Sequence, residues 1–295
     1  MTITRSFTYR KPRSLAEALA LLAEHGQGAS LLAGGTDLVS WMRDDLVAPE
    51  VVVDLKGIPG LGGITIEDGA LRIGALATFS EVLASPVVAS AMPVLAEMAG
   101  TVASVGIRNR ATVVGNLCSA VPSNDAGPVL LAAGASVQVV GHDGDRAVAL
   151  GDWFLGPRHT ALSDGELVTG VSIPLPGEHG GCYCKLGRYR GEDLAQASVA
   201  VLRLPGDRYR VAFGAVAPAT VRAAAIEEYL AGRALDDETL AGAAALVAGQ
   251  ISPITDLRAG AAYRTHMCRV MLGRALRAAS QRLAGQGPPY GTRLI

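Results

Sequence analysis

Apolar residues recur along the chain with two different periods, and each period predicts a different kind of element. After Ser14, which opens a capping box with Glu17, leucines three or four residues apart share one helical face. Gly26 supplies the left-handed residue that ends this helix, and the apolar run at 30–33 predicts a short buried strand. The sequence therefore begins with a helix and a strand, and the strand ends at two adjacent glycines.

Strand patterns dominate the next part of the chain. Asp68-Gly69 tolerates the positive φ angles of a tight hairpin, and Asp143-Gly144 predicts a second hairpin of the same kind. Another capping box, Thr78 with Glu81, and a first-turn proline at Pro93 predict helices between the two hairpins. The predicted strands of this part are 51–55, 64–67, 71–74, 136–140, 147–150 and 167–173.

A stretch rich in proline and glycine at 174–181 predicts a domain boundary, as the length of the chain also suggests. Beyond it, two strand patterns at 197–204 and 209–214 form an antiparallel pair, and alanine-rich helices follow. The turn-rich segment 285–289 is expected to be mobile. The predicted domains are 1–178, with lobes 1–58 and 59–178, and 179–295.

Composition excludes several classes of function. Hydrophobic residues make up 49 % of the chain, but no run approaches the roughly 18–20 apolar residues that a membrane span needs. The formal net charge of −1 removes the broad attraction on which nucleic-acid binding depends. The beginning of the chain lacks the apolar run of a secretory signal, so we expect a cytoplasmic protein with neither a membrane span nor a nucleic-acid partner. The cysteines are scattered and the histidines isolated, so we predict no metal site and no catalytic acid or base.

The first candidate for chemistry is the segment 31–38, in which Gly34 and Gly35 follow a predicted strand. Adjacent glycines let consecutive backbone N–H groups converge on one point, and convergent N–H groups bind anions such as a diphosphate. Thr36 adds a hydroxyl donor at the same place. Glycine pairs are common in a chain with 36 glycines, so an ordinary turn is the alternative interpretation.

The second candidate is the segment 106–125, which reads as a long polar loop between apolar flanks. It offers short side-chain donors and acceptors, a glycine that permits close backbone approach, and a carboxylate suited to hydroxyl groups or an amine. A buried loop this polar needs either a ligand or internal partners, so a loop that satisfies its own groups is the alternative. Its candidate binding residues are Thr112, Gly115, Asn116, Ser119 and Asp125.

Neither segment contains the glycine fingerprint of a dinucleotide-binding βαβ unit or of a phosphate loop, so nucleotide binding requires another architecture. The segments 33–38 and 107–116, with Pro122 and Asp125 after them, resemble the FAD-binding medium subunits of molybdenum hydroxylases, the carbon monoxide dehydrogenase and xanthine dehydrogenase type. Further motifs in that family's order extend the resemblance over nearly the whole chain. They are Asp152-Trp153-Phe154, Gly156-Pro157-Arg158, Gly165-Glu166-Leu167, Ser172-Ile173-Pro174, and Lys185 and Arg188 with Asp193-Leu194-Ala195.

The resemblance implies an α+β fold. It comprises a two-lobed FAD-binding domain of the p-cresol methylhydroxylase (PCMH) and vanillyl-alcohol oxidase type, followed by a small C-terminal α/β domain. FAD is the implied cofactor, held between the lobes without a covalent bond, and Cys118 is expected to be a small buried thiol. Val114 stands where the family usually has glycine, which puts the close backbone approach at that position in doubt. No cysteine-rich insertion is visible, so no iron–sulfur cluster is expected in this chain.

The resemblance also assigns roles to individual residues. Asp125 would take the adenosine end of FAD, and Val168 would pack beside the flavin. Lys185 would stand near the isoalloxazine, where its charge would favour the reduced, anionic flavin. A core side chain at Val168 and a surface charge at Lys185 are the alternatives. The residues that would hold the diphosphate are Leu31, Ala33, Gly34, Gly35, Thr36, Asp37 and Leu38, and those that would hold the phosphate and ribitol region are Thr112, Gly115, Asn116 and Ser119.

The function implied by the resemblance is electron transfer within a complex. The chain would take electrons from the [2Fe–2S] clusters of a small partner subunit, which is fed by a molybdopterin-binding large subunit. It would pass them to an acceptor such as NAD, a quinone or oxygen. Two alternatives remain open: a stand-alone flavin-dependent oxidase or dehydrogenase, and a non-catalytic assembly subunit.

The last long predicted helix carries six arginines. Arginines on one side of an amphipathic helix normally form its solvated face, and a surface for docking a partner is the alternative. These residues are Arg258, Arg264, Arg269, Arg274, Arg277 and Arg282.

Overall fold

The computed structural model of the chain describes residues 2–189 and 192–295. Its first lobe is a three-stranded parallel sheet with strand order β1-β3-β2 and two helices. The predicted helix and strands are present, whereas the exposed strand β1 has no apolar pattern and was missed. The elements of this lobe are β1 Thr8–Arg10, α1 Leu15–His25, β2 Ala29–Leu32, α2 Leu38–Arg43 and β3 Val51–Asp54.

The second lobe begins with a hairpin, continues through six short helices, and returns to strands. Its elements up to the last of these helices are β4 Ile64–Glu67, β5 Ala70–Gly74, α3 Phe79–Ala84, α4 Pro86–Ala91, α5 Pro93–Gly100, α6 Val105–Arg108, α7 Val113–Cys118 and α8 Ala126–Ala133. The remaining ones are β6 Ser136–Gly141, β7 Gly144–Ala149, α9 Leu150–Trp153, β8 Phe154–Gly156, β9 His159–Thr160 and β10 Leu167–Pro174. Five of the strands form an antiparallel sheet in the order β4-β5-β10-β6-β7, and β8 pairs with β9 alone.

Local sequence signals account for many of these boundaries. Asp68 and Gly69 take φ angles of 52° and 72°, as the tight hairpin between β4 and β5 requires. Thr78 and Glu81 form the complete capping box of α3. In α1, Ser14 caps the helix as predicted, but Glu17 accepts a hydrogen bond from the N–H of Arg13 instead of the cap residue.

Two local predictions were wrong. In the second hairpin Gly141 pairs with Gly144, so His142 and Asp143 form the turn and Gly144 already belongs to β7. The segment 106–125 is not a long loop, because most of α6 and all of α7 lie within it.

The C-terminal domain is an antiparallel four-stranded sheet in the order β11-β12-β13-β14, covered by helices. One face of this sheet packs with α12 and its neighbours around a core that includes Val199, Phe213 and Met271. The other face joins the large core of the first domain through Ala200, Leu202 and neighbouring side chains. The elements are β11 Gly180–Leu186, β12 Ala197–Leu204, β13 Arg208–Gly214, β14 Val221–Arg222, α10 Ala224–Leu230, α11 Asp237–Leu246 and α12 Ala261–Leu283.

The segment 285–289, which was expected to be mobile, makes hydrogen bonds with the last helix. Arg282 donates hydrogen bonds to the carbonyl groups of Pro288 and Pro289, and its guanidinium forms a buried ion pair with Glu97 of α5 at 2.7 Å. Arg264 is also buried and pairs with Asp256, so the arginines of the last helix do not share one solvated face. The predicted α+β class is confirmed, and none of the helices described is long and apolar enough to cross a membrane.

Candidate functional site

A cavity of about 760 Å³ lies between the first lobe and the helices of the second. Its volume falls in the range of small-molecule sites. Among the predicted site residues, Lys185 is the one that does not line it. The lining includes Leu31, Ala33, Gly34, Gly35, Thr36, Asp37, Leu38, Thr112, Gly115, Asn116, Ser119, Asp125 and Val168.

The loop between β2 and α2 offers unused backbone donors. Among the described residues, none accepts a hydrogen bond from the backbone N–H groups of Gly34, Gly35, Thr36 or Asp37. Gly35 has a φ of 79°, a conformation that other residues rarely adopt. Four consecutive free amides in a cavity wall form a donor set suited to an anion.

Gly34 also has a packing role that the sequence did not predict. A Cβ atom at this position would lie 1.9 Å from the carbonyl oxygen of Arg110, in the second lobe. Gly34 is therefore needed because the two lobes touch there, and its φ is not in the left-handed region. The contact fixes the distance between the two walls of the cavity.

Lys56, which was not among the predicted site residues, forms a hydrogen bond with the loop between β2 and α2. Its Nζ donates to the carbonyl oxygen of Ala33 at 3.0 Å and pairs with the buried carboxylate of Asp54 at 2.6 Å. Tyr9 of β1 donates a further hydrogen bond to Asp54. The Ala33–Gly34 peptide is thereby held in one orientation. A lysine two residues after a buried strand carries no signal of this role in the sequence.

Several polar groups of the second candidate segment, 106–125, form hydrogen bonds with each other or with the start of α8. The hydroxyl oxygen of Thr112 caps α7 by accepting from the N–H of Gly115 at 2.9 Å, and the N–H of Asn116 donates to the Thr112 carbonyl at 3.0 Å. The Asn116 side chain accepts from the N–H of Ala126 at 3.0 Å and so ties α7 to α8. Ser119 donates to the Asn116 carbonyl at 3.0 Å. Among the described residues, none accepts a hydrogen bond from the side-chain NH2 of Asn116 or from the hydroxyl of Thr112, and these two groups remain for a ligand.

Asp125 is buried and both of its carboxylate oxygens are already bound. One accepts from the hydroxyl of Tyr183 at 2.9 Å, and the other from Nζ of Lys185 at 2.8 Å. Burial raises the pKa of Asp125, and the charge of Lys185 partly offsets this effect. Lys185, with a side chain only 7 % exposed, is not a surface charge.

This contact corrects the predicted roles. Asp125 and Lys185 were assigned to opposite ends of an extended dinucleotide, yet their side chains touch. The two assignments cannot both hold. Asp125 lines the cavity, and Lys185, which does not line it, is paired with Asp125.

Other side chains complete the wall. Val168 is buried and lies at an irregularity in the pairing of β10 with β6. Cys118 is half-buried, and desolvation raises the pKa of its thiol to about 12, so at neutral pH it is not a thiolate nucleophile. Trp41 and Arg158 also line the cavity and were not among the predicted site residues, although Arg158 lies in a motif of the resembled family. The described residues contain no cluster of histidine, cysteine or acidic side chains that could hold a metal.

The donor set fits FAD. Free amides at Gly34 to Asp37 suit a diphosphate, and hydroxyl and amide side chains of the second wall suit the polar linker of the dinucleotide. The apolar part of the wall, which includes Phe79 and Val168, suits an aromatic ring system.

Comparison with known proteins agrees with this fit. Residues 5–176 match the family model of the FAD binding domain in molybdopterin dehydrogenase, and residues 182–279 match that of the CO dehydrogenase flavoprotein C-terminal domain. Together these two models cover most of the chain.

Full-length relatives give the same result. The carbon monoxide dehydrogenase medium chain of Afipia carboxidovorans is 36 % identical, with 95 % of this chain and 99 % of the relative covered. A putative xanthine dehydrogenase FAD-binding subunit of Escherichia coli is 31 % identical, with 90 % and 92 % covered. A solved carbon monoxide dehydrogenase of Hydrogenophaga pseudoflava superimposes with a TM-score of 0.92 at 36 % identity, with 96 % and 99 % covered. The chain belongs to the FAD-binding medium subunits of the molybdenum hydroxylases, and it is an oxidoreductase subunit whose cofactor is FAD.

Proposed function

We propose that this chain carries electrons out of a molybdenum hydroxylase complex. It would accept them from the [2Fe–2S] clusters of a small partner subunit, fed by a molybdopterin-binding large subunit, and deliver them to NAD, a quinone or oxygen. Support comes from the relatives, whose names describe medium chains and FAD-binding subunits of dehydrogenases. FAD, when bound, supplies reversible storage of two electrons, and the protein supplies binding, orientation and electrostatics.

The observation that carries the proposal is the row of four unbonded amides in the cavity wall. We assign the diphosphate to Gly34, Gly35, Thr36 and Asp37, with Leu31, Ala33 and Leu38 packed around them. Lys56 holds the Ala33 carbonyl away from the anion, which keeps the neighbouring N–H groups available. An anion bound by fixed amides needs little reorganisation of the protein.

The second wall, in this proposal, positions the rest of the cofactor. Thr112, Gly115, Asn116 and Ser119 are assigned to the phosphate and ribitol region, and Val168 to the flavin. Asp125 and Lys185 act together at one end of the cavity. Their ion pair presents little net charge, so we expect the pair to orient the cofactor by hydrogen bonding more than by an uncompensated positive charge.

We also propose that the boundary between the FAD-binding domain and the C-terminal domain lies at 178/179, with lobes 1–58 and 59–178. The two matched family models, 5–176 and 182–279, support it. Because the sheet of the C-terminal domain shares the core of the first domain on one face, we expect the two domains to unfold together.

The test uses the whole complex. It is reduced anaerobically with dithionite, excess reductant is removed, and NAD or a soluble quinone is added while the iron–sulfur signal is followed by electron paramagnetic resonance. We expect rapid reoxidation of the clusters with FAD-loaded chain and slow reoxidation after FAD is removed. Equal rates in the two samples would contradict the proposal. Turnover of an organic substrate by the isolated FAD-loaded chain would instead favour a stand-alone oxidase.

A further inference from the structure

One guanidinium faces the FAD cavity. Among the described residues that line it, Arg158 is the only arginine or lysine, whereas the lining includes six acidic residues. The diphosphate of FAD brings additional negative charge into this acidic surrounding. A cation near the diphosphate would offset the resulting repulsion.

Partners outside the cavity already neutralise several of these acids. Asp125 pairs with Lys185 at 2.8 Å, and Glu166 pairs with Arg146 at 2.6 Å. Asp193 pairs with Arg188. Arg158 makes no salt bridge within 4.0 Å to any described carboxylate, so its charge is available to a ligand.

The backbone around Arg158 has an unusual conformation. Arg158 lies in the turn between β8 and β9 with a φ of 59°, and its N–H donates to the carbonyl oxygen of Ala120 at 2.9 Å. Ala120 follows α7 and also has a positive φ, of 44°. Two residues in the left-handed region, bonded to each other, cost conformational energy that is tolerated when the geometry serves a site.

The side chain reaches across to the first lobe. Its guanidinium carbon lies 5.0 Å from the centre of the Trp41 ring, a cation–π distance. The N–H of Trp41 donates to the carbonyl oxygen of Asp37 at 2.9 Å. One helical turn, roughly 6 Å along the axis, therefore separates Trp41 from the last of the four free amides.

The electrostatics of Asp37 agree with this placement. Desolvation raises the pKa of Asp37, and interaction with the hydroxyl of Ser119 and, to a smaller extent, the charge of Arg158 offset part of that rise. The positive charge of Arg158 therefore lies close enough to the loop with the free amides to lower the pKa of a side chain in that loop.

We propose that Arg158 binds the diphosphate of FAD, as the cationic partner of the backbone amides of 34–37. The planar guanidinium matches two phosphate oxygens, and charge-assisted hydrogen bonds of this kind are the strong ones. Since Arg158 comes from the second lobe and the amides from the first, the diphosphate would join the two lobes. The inference rests on the placement of the diphosphate proposed above.

The test compares FAD binding by the full chain and its variants. Arg158→Gln keeps part of the aliphatic side chain over Trp41 and removes the charge. Arg158→Lys keeps the charge but loses the planar guanidinium, which can donate two parallel hydrogen bonds. Arg277→Gln is the matched control. Arg277 is exposed, does not line the cavity, and pairs with Asp237, which is also exposed. The dissociation constant for FAD is measured by flavin fluorescence at about 50 mM and about 500 mM salt.

We expect Arg158→Gln to raise the Kd about ten- to a hundredfold at low salt, with Arg158→Lys between it and the wild type. The Kd of the wild type should also rise more steeply with salt than that of Arg158→Gln. A Kd within twofold of the wild type, or a salt dependence of the Kd in Arg158→Gln equal to that of the wild type, would overturn the inference. Failure of the wild type itself to bind FAD would instead sink the proposed placement of the cofactor.

Discussion

The two walls of the FAD cavity are built in different ways. In the wall at 33–38, four backbone N–H groups are free, and little structure surrounds them except Lys56 and the contact with Arg110. In the wall at 112–126, the backbone forms α7 and the start of α8, hydrogen bonds within the protein use many of its amides, and side chains line the cavity. The first wall therefore depends on backbone conformation, whereas the second depends on helix caps and a buried ion pair.

The largest effect on the second wall should come from Lys185→Met. Removal of the lysine leaves Asp125 buried without its partner, and breaking such a pair typically costs about 3–5 kcal/mol in free energy of unfolding. Without Lys185, burial raises the pKa of Asp125 further, and the hydrogen bond from Tyr183 offsets only part of this rise. The folded variant then holds its proton more tightly than the unfolded chain does, so its stability should fall as pH rises above about 4.

Urea denaturation at several pH values measures this effect. Asp125→Asn combined with Lys185→Met is the control, because it removes the buried carboxylate and should remove the pH dependence. A loss of less than about 0.5 kcal/mol in Lys185→Met would show that the ion pair does not support this wall.

Gly34→Ala should affect both walls. Its Cβ would overlap the Arg110 carbonyl oxygen, so the lobes must shift apart, at a cost of about 2 kcal/mol in free energy of unfolding together with weaker FAD binding. Gly273→Ala in α12 is a matched control, since nothing lies near its Cβ and the change should be neutral or stabilising. Thermal melts and FAD titration of the two variants would settle whether the contact sets the width of the cavity.

Gly35→Val should weaken FAD binding more than it destabilises the fold. A β-branched residue is disfavoured at a φ of 79°, so the loop must change its conformation and its amides lose their alignment. We expect the Kd for FAD to rise at least about tenfold. Gly35→Asn, which tolerates positive φ, should bind FAD better than Gly35→Val, and equal affinities for the two variants would contradict this role.

The smallest effect should come from Thr112→Ala, which removes the cap of α7. Loss of such a cap typically costs about 1 kcal/mol in free energy of unfolding. Thr112→Ser keeps the hydroxyl oxygen and should restore the stability. Identical denaturation curves for Thr112→Ala and the wild type would show that the second wall does not depend on this cap.

Elements with strong local signals were predictable from the sequence. The capping box at Thr78 and the hairpin turn at Asp68 and Gly69 each depend on residues close in the chain, and both are present. The long strands β12 and β13 also follow from their apolar runs. The second hairpin turn was predicted at 143–144 but lies at 142–143. The glycine at 144 is compatible with either position, so the sequence did not distinguish them.

Features set by distant contacts could not be predicted. The helices α6 and α7 have four and six residues, which is too short to show a helical period. Lys185 meets Asp125 from a strand 60 residues away, and Arg282 meets Glu97 from even farther along the chain. The sequence indicated which residues line the cavity, but not that Gly34 is required by Arg110 or that Arg158 faces the same space.

Amide hydrogen exchange with and without FAD can show whether the backbone amides of 34–37 bind the cofactor, because it reports on the backbone donors of both walls in one experiment. Without FAD, the amides of 34–37 should exchange fast and those of α7 slowly. FAD should slow exchange at 34–37 strongly and change α7 little. Protection by FAD that is confined to α7, with exchange at 34–37 unchanged, would show that the amides of 34–37 do not bind FAD.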